Sequence, residues 1–154
     1  LEAVGFTPAQ AELARTLTDS VDSAAEWLVD DWFNSAEKAV SDIVTGTLKG
    51  DDTTFTHVQT ALVPLAGEPA RARVLLAMLA QAWRDILLGR TGDASVRFPG
   101  ASEWQRLSQR YTTAKLLEVL DIVLAAPQRL QKNISFQTTV ESTVLESQFK
   151  LAGL

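Results

Sequence analysis

Ala70-Arg71-Ala72-Arg73-Val74-Leu75-Leu76-Ala77-Met78-Leu79-Ala80-Gln81-Ala82-Trp83-Arg84-Asp85-Ile86-Leu87-Leu88 sets Ala72, Leu75, Leu76, Leu79, Ala82, Trp83, Ile86 and Leu87 at spacings of three and four without a gap. That is the period of a helix with one apolar stripe. Gln81, Arg84 and Asp85 interrupt the stretch, and no run reaches the roughly 18 apolar residues of a membrane span. A helix this apolar belongs in a core, with the remaining elements packed around it.

Working outward, each neighbouring segment also reads as helix. Thr7-Pro8-Ala9-Gln10 has the order of a capping box with proline at the first helical position, so a short helix is expected to about Leu17. Thr18-Asp19-Ser20 caps the next. Its stripe of Val21, Ala24, Ala25, Leu28, Trp32, Ala36, Ala39, Val40 and Ile43 predicts one continuous helix from about Ser20 to Lys49. Gly50-Asp51-Asp52-Thr53 stops it, and the acidic pair suits the N-terminus of the following element, Thr54 to Leu65, whose threonines weaken its helical propensity. Gly67-Glu68-Pro69 marks a boundary before the central helix, and Gly89 to Gly100, rich in glycine, is expected to be a loop.

Ser102-Glu103-Trp104-Gln105 repeats the capping-box spacing. Thr112 or Thr113 caps a helix whose apolar face is Leu116, Leu117, Leu120, Val123, Leu124, Leu130 and Ile134. Pro127 lies on that face and should kink the helix, at a cost of roughly 3 kcal/mol in an exposed reference helix. A last helix from about Phe136 is expected to bury Val140, Val144, Leu145 and Phe149. No strand period, internal repeat or low-complexity segment competes. The fold class is all-α, a bundle of about six to seven helices.

A chain of 154 residues with 46% apolar content and a mean hydropathy of +0.04 is long enough to bury a sizeable core. The formal charge of −5 provides no basic footprint for phosphate backbones, so direct nucleic-acid binding by this chain is disfavoured. With no cysteine and a single histidine, His57, there is no disulfide, no thiolate chemistry and no zinc site built on imidazole. The composition suits a reducing cytoplasm. Leu1 in place of methionine reads as a fragment of something longer.

Residues that carry chemistry elsewhere find blander readings here. The adjacent carboxylates Asp30-Asp31 and Asp51-Asp52 point about 100° apart on a helix and do not converge on one atom, so they are read as caps or solvated faces. His57 sits among threonines without the partners of a triad. No glycine-rich loop cradles phosphates. Trp27, Trp32, Trp83 and Trp104 lack the basic groove of a base-stacking surface, and three of them fit helical stripes as core or interface anchors. Arg71/Arg73 and Arg129/Lys132 are modest basic pairs of the kind that usually solvate a helix face. No catalytic, cofactor-binding or metal-binding residue is expected.

Two segments carry a resemblance. Trp83-Arg84-Asp85-Ile86-Leu87-Leu88, an aromatic residue, Arg-Asp, then aliphatics, resembles the C-terminal collar domain of the delta-prime subunit of the bacterial DNA polymerase III clamp loader. Leu130-x-x-Asn133-Ile134-Ser135 followed by Val140-Glu141 is similar to that family's Leu-x-x-Asn-Val-Asn and Leu-Glu run, with Ser135 replacing the second Asn. Residues 1–30, with the Asp19-Ser20-Val21 junction, resemble the end of an AAA+ lid, leaving 31–154 as the helical collar. The absence of an arginine from Asp19 to Asp22 fits a loader subunit that does not hydrolyse ATP.

The resemblance implies a cytoplasmic protein of the DNA-directed DNA polymerase holoenzyme that acts in DNA replication. Five collars close into a ring while the sliding clamp is loaded on primed DNA. Its partners would be gamma/tau and delta, with the clamp and DNA contacted only indirectly and no membrane involved. The collars of the sister subunits gamma/tau and delta share the architecture and remain open, as does a free-standing bundle that binds a small apolar ligand between its helices. A regulatory domain separated from a catalytic half is a further alternative.

Candidate structural or interface residues are Trp83, Arg84, Asp85, Asn133 and Glu141, together with Ile122, Leu145 and Leu151, apolar positions beyond what one stripe requires. Arg84 and Asp85 are either a polar link to another helix or subunit, or a solvated pair. Because every phosphate-binding loop is missing from the sequence, calorimetric titration with ATP is expected to give no saturable heat in the micromolar range.

Overall fold

The computed structural model describes residues 2–92, 98 and 101–153. Among them are eight α-helices and no strand: α1 (Pro8–Leu17), α2 (Val21–Glu26), α3 (Trp32–Lys49), α4 (Thr54–His57), α5 (Pro69–Arg90), α6 (Ala101–Ser108), α7 (Thr113–Gln131) and α8 (Phe136–Leu151). None is long and apolar enough to cross a membrane.

The stripe of residues 70–88 lies on α5, which packs against α1, α3, α6 and α7, while α8 closes the bundle against α7 and α3. Leu75, Leu76, Met78, Leu79, Ala82, Trp83 and Ile86 are buried, and with them a single core cluster reaches from Phe6 to Leu151.

The capping box of α1 forms as its sequence suggests. Thr7 Oγ1 accepts from Gln10 N at 3.2 Å, and Gln10 Oε1 accepts from Thr7 N at 3.1 Å. The side chains of Ser20, Thr112 and Ser135 cap α2, α7 and α8 by accepting from the backbone amide three residues on.

The continuous helix expected from Ser20 to Lys49 is instead two helices, which adds one to the expected count. Asp30 (φ 54°) and Asp31 (φ 59°) are both left-handed, a region that Asp tolerates better than most residues. The cause lies in the aromatics. In a straight helix Trp27 and Phe33 would point about 120° apart. The break lets both enter the core, stacked with centroids 5.7 Å apart and planes 8° off parallel. It falls at the expected 30/31 division, yet the core runs across it, with Phe6 edge-on to Phe33 at 5.2 Å.

The element expected over 54–65 winds unevenly: α4 opens into a π turn at Val58–Leu62 and tightens to a 3₁₀ turn at Val63–Leu65. Pro64 has no amide proton for the Thr60 carbonyl, so the regular ladder cannot continue through it.

Gly89 and Arg90 belong to α5 rather than to the expected loop; most of the rest of that stretch lies outside the described residues, as does the Ser102 side chain expected to cap α6. Gly89 leaves room for the Gln105 amide of α6, which a Cβ there would displace. That amide instead donates to the Ile86 carbonyl at 3.0 Å. Nearby, the Arg90 guanidinium donates to the carbonyls of Ser108 (2.6 Å) and Tyr111 and to Thr113 Oγ1 (3.2 Å). It thereby satisfies backbone acceptors at the end of α6 and ties α5 to the start of α7.

α7 continues through Pro127 to Gln131. Asn133 (φ 63°) then ends it: Ile134 N donates to Arg129 O and Asn133 N to Leu130 O, both at 3.1 Å. This six-to-one and five-to-two pairing is a Schellman turn. Ile134, expected on the α7 face, therefore lies beyond the helix and is exposed.

Trp83 is 2% exposed at the centre of this packing. Trp83→Ala is expected to lower unfolding free energy by about 3–5 kcal/mol, read as a shift in the urea midpoint with unchanged slope.

Candidate functional site

The surface that distinguishes this bundle arises from how α8 divides its residues. Thr139, Thr143 and Ser147, spaced by four, are buried. Thr143 Oγ1 and Ser147 Oγ donate to the carbonyls four residues back, both at 2.7 Å. A hydroxyl satisfied by its own helix can enter a core, and its small size lets neighbouring elements approach closely.

The consequence corrects the expected face of α8. Val140 and Val144 are buried as expected, but Leu145 is 38% exposed and Phe149 49%. On α7, Leu117 and Leu124, expected in the apolar face, are likewise exposed, because Leu116, Val119, Val123 and Ala126 fill the inward face one residue away. The sequence signal for this division is the Thr-x-x-x-Thr-x-x-x-Ser period of α8.

The other candidate residues are dispersed. Of the surplus apolar set, Leu145 is exposed, Ile122 half-buried and Leu151 buried. Leu151 follows Ser147 on the inward stripe, so it belongs to the core and not to a free surface. Arg84 and Asp85 do not act together: Arg84 is exposed, while Asp85 is fully buried and accepts from Gln81 Nε2 at 2.9 Å and from Phe98 N at 2.8 Å. Asn133 forms the turn described above. Glu141 accepts from Gln137 Nε2 at 2.8 Å and from Gln59 Nε2 at 3.3 Å, joining α8 to the π turn. All four tryptophans are buried; Trp32 Nε1 donates to Leu65 O at 2.9 Å and Trp104 Nε1 to Thr45 Oγ1 at 3.0 Å.

Hollows open on the surface among the described residues. An apolar groove of about 440 Å³ lies between the start of α5 and the end of α7, walled by Ala72, Pro127, Leu130 and Phe136. Sharing Arg73 and Pro127 with it, a smaller trough of about 200 Å³ runs along α5 to Arg84, lined also by α7 and by Thr16 and Leu17 of α1. A polar hollow of about 230 Å³ includes Asp42, Asp51 and His57. There, the amide and hydroxyl of Thr53 hold the Asp51 carboxyl below its ordinary range. Among the described residues no group of three or more His, Asp or Glu is placed to hold a metal ion.

Compared with profiles of known protein families, with curated proteins and with solved structures, the chain finds no match.

One buried acid was not anticipated. Glu37 of α3 is 8% exposed, and its Oε1 has no hydrogen-bond partner. Burial pushes its carboxyl above the ordinary 4.5, with the Gln10 amide pulling part of the way back. The folded chain then holds a proton that the unfolded chain has released, so stability falls as pH rises from about 4.5 through the raised value. Glu37→Gln is expected to melt higher than the parent at pH 7, by about 2–4 °C for each kcal/mol gained. The gap should close as pH falls below 4.5, where the parent is protonated in both states; thermal melts across this range check it.

Proposed function

We propose that this chain is a subunit-association domain, the collar of a bacterial clamp loader of the delta-prime type, which helps hold the loader together during DNA replication and performs no chemistry itself. The observation that carries the association reading is the pair Leu145 and Phe149, both exposed on a helix that buries threonine and serine. Large apolar side chains left outside while small polar ones go inside serve a surface that a partner covers. Leu117 on α7 is exposed as well.

The sequence resemblance supplies the identity of the partners. Its segments occupy positions suited to building such a domain: Trp83 and Ile86 in the core of α5, Asn133 at the α7–α8 turn, and Glu141 bridging α8 to the π turn. A standard interface hides on the order of 800 Å² per partner around aromatic and aliphatic anchors, and Phe149 with Leu145 are the anchors named here.

A second reading, a bundle that holds a small apolar ligand, is favoured by the groove beside Phe136, whose volume of about 440 Å³ falls within the range of ligand pockets. The two readings separate by size: a ligand-binding bundle stays monomeric, whereas a collar co-purifies with loader subunits.

The test is Leu145→Glu with Phe149→Glu in the reconstituted loader. The expected result is an unchanged circular-dichroism spectrum and loss of co-purification with gamma/tau and delta. Co-purification that survives both substitutions would refute this assignment of the surface.

A further inference from the structure

The trough between α5 and α7 differs from the exposed patch in its charge. Its α5 wall carries Arg73, Ala77, Ala80 and Arg84, spaced by four, three and four, so one stripe has small residues in the middle and an arginine at each end. Leu124 and Pro127 of α7 and Thr16 and Leu17 at the end of α1 complete the lining with Leu76 and Val123. Both arginines are exposed, and neither takes part in an ion pair among the described residues, whereas Arg71, Arg106 and Arg129 each have a carboxylate partner. In a chain of net charge −5, two arginines without an ion-pair partner among the described residues, at the ends of an apolar trough, form a local cationic frame.

Its length points to the occupant. Arg73 and Arg84 stand eleven positions apart on α5, which is about 16 Å along the axis, or three turns. The small side chains of Ala77 and Ala80 allow a backbone to come close, and the trough is continuous with the larger groove at Pro127. Lined by α5, α7 and the end of α1, the trough presents apolar surface of the kind that receives the apolar face of a further helix.

We propose that the α5–α7 trough docks an amphipathic helix of a partner protein whose apolar face is flanked by two acidic side chains about three turns apart, one for Arg73 and one for Arg84. The assignment does not depend on the clamp-loader reading. It uses a different surface from Leu145 and Phe149, so either can fail without the other.

The test uses synthetic helical peptides of about five turns with one leucine-alanine face, flanked at the three-turn spacing by two glutamates or by two lysines. Fluorescence anisotropy against the whole chain is expected to show the glutamate peptide binding about tenfold tighter at low salt, as two partly desolvated ion pairs would give. In Arg73→Glu/Arg84→Glu the preference should invert, and Ala77→Trp, which fills the trough without changing its charge, should abolish binding of both peptides. Equal binding of the two peptides would overturn the proposal. So would a preference unmoved by the double reversal, or binding that resists Ala77→Trp but is lost in Leu145→Glu/Phe149→Glu. Retention of only a small apolar dye in the trough, with no peptide binding, would also overturn it.

Discussion

Asp85 brings a carboxyl group with no exposed surface into the middle of the bundle, and much of the architecture answers the requirement that it be hydrogen-bonded there. A buried polar group left without partners costs several kcal/mol, more if it is charged. Gln81 meets one oxygen from a turn earlier on α5, and the backbone amide of Phe98 meets the other. The second bond fixes where the chain returns after α5. Phe98, so held, tilts against Trp104 at 5.4 Å, and Trp104 in turn reaches Thr45 of α3. The placement of α6 against α3 and α5 thus follows from one acid on the central helix.

The last turn of α5 continues the same logic with carbonyls. Gln105 occupies the space left by Gly89 and binds the Ile86 carbonyl, while Arg90 gathers acceptors from Ser108 and Tyr111. Tyr111 closes the circuit by donating to Leu48 O at 2.7 Å, at the end of α3. Helix ends that would otherwise need water are satisfied by side chains from neighbouring helices.

Much of this was legible from periodicity. The stripe of residues 70–88, the Thr7 and Ser20 caps and the break after Lys49 are local properties, and the fold class follows from them. What was hidden depends on contacts distant in sequence. The turn at Asp30–Asp31 exists because Trp27 and Phe33 share one pocket, which no window of residues reports. Gly89 reads as a helix stop until Gln105 is known to lie against it. The exposed apolar surface was missed for a different reason: a hydrophobicity rule cannot see that Thr143 and Ser147 supply their own acceptors. Leu145 was expected both on the buried face of α8 and among the surplus apolar positions, whereas the exposure of Phe149, Leu117 and Leu124 required the packing.

The Schellman turn at Asn133 also bears on the order in which the molecule assembles. It joins α7 and α8, which lie side by side and are consecutive in the chain, so their mutual contacts close a short loop at low entropic cost. The contacts of α1 with α5 bridge a far longer stretch of chain and close later on the same argument. The hairpin that carries the exposed leucines is therefore suited to be an early cooperative unit, and its exposed apolar surface can be complete before the N-terminal helices have docked.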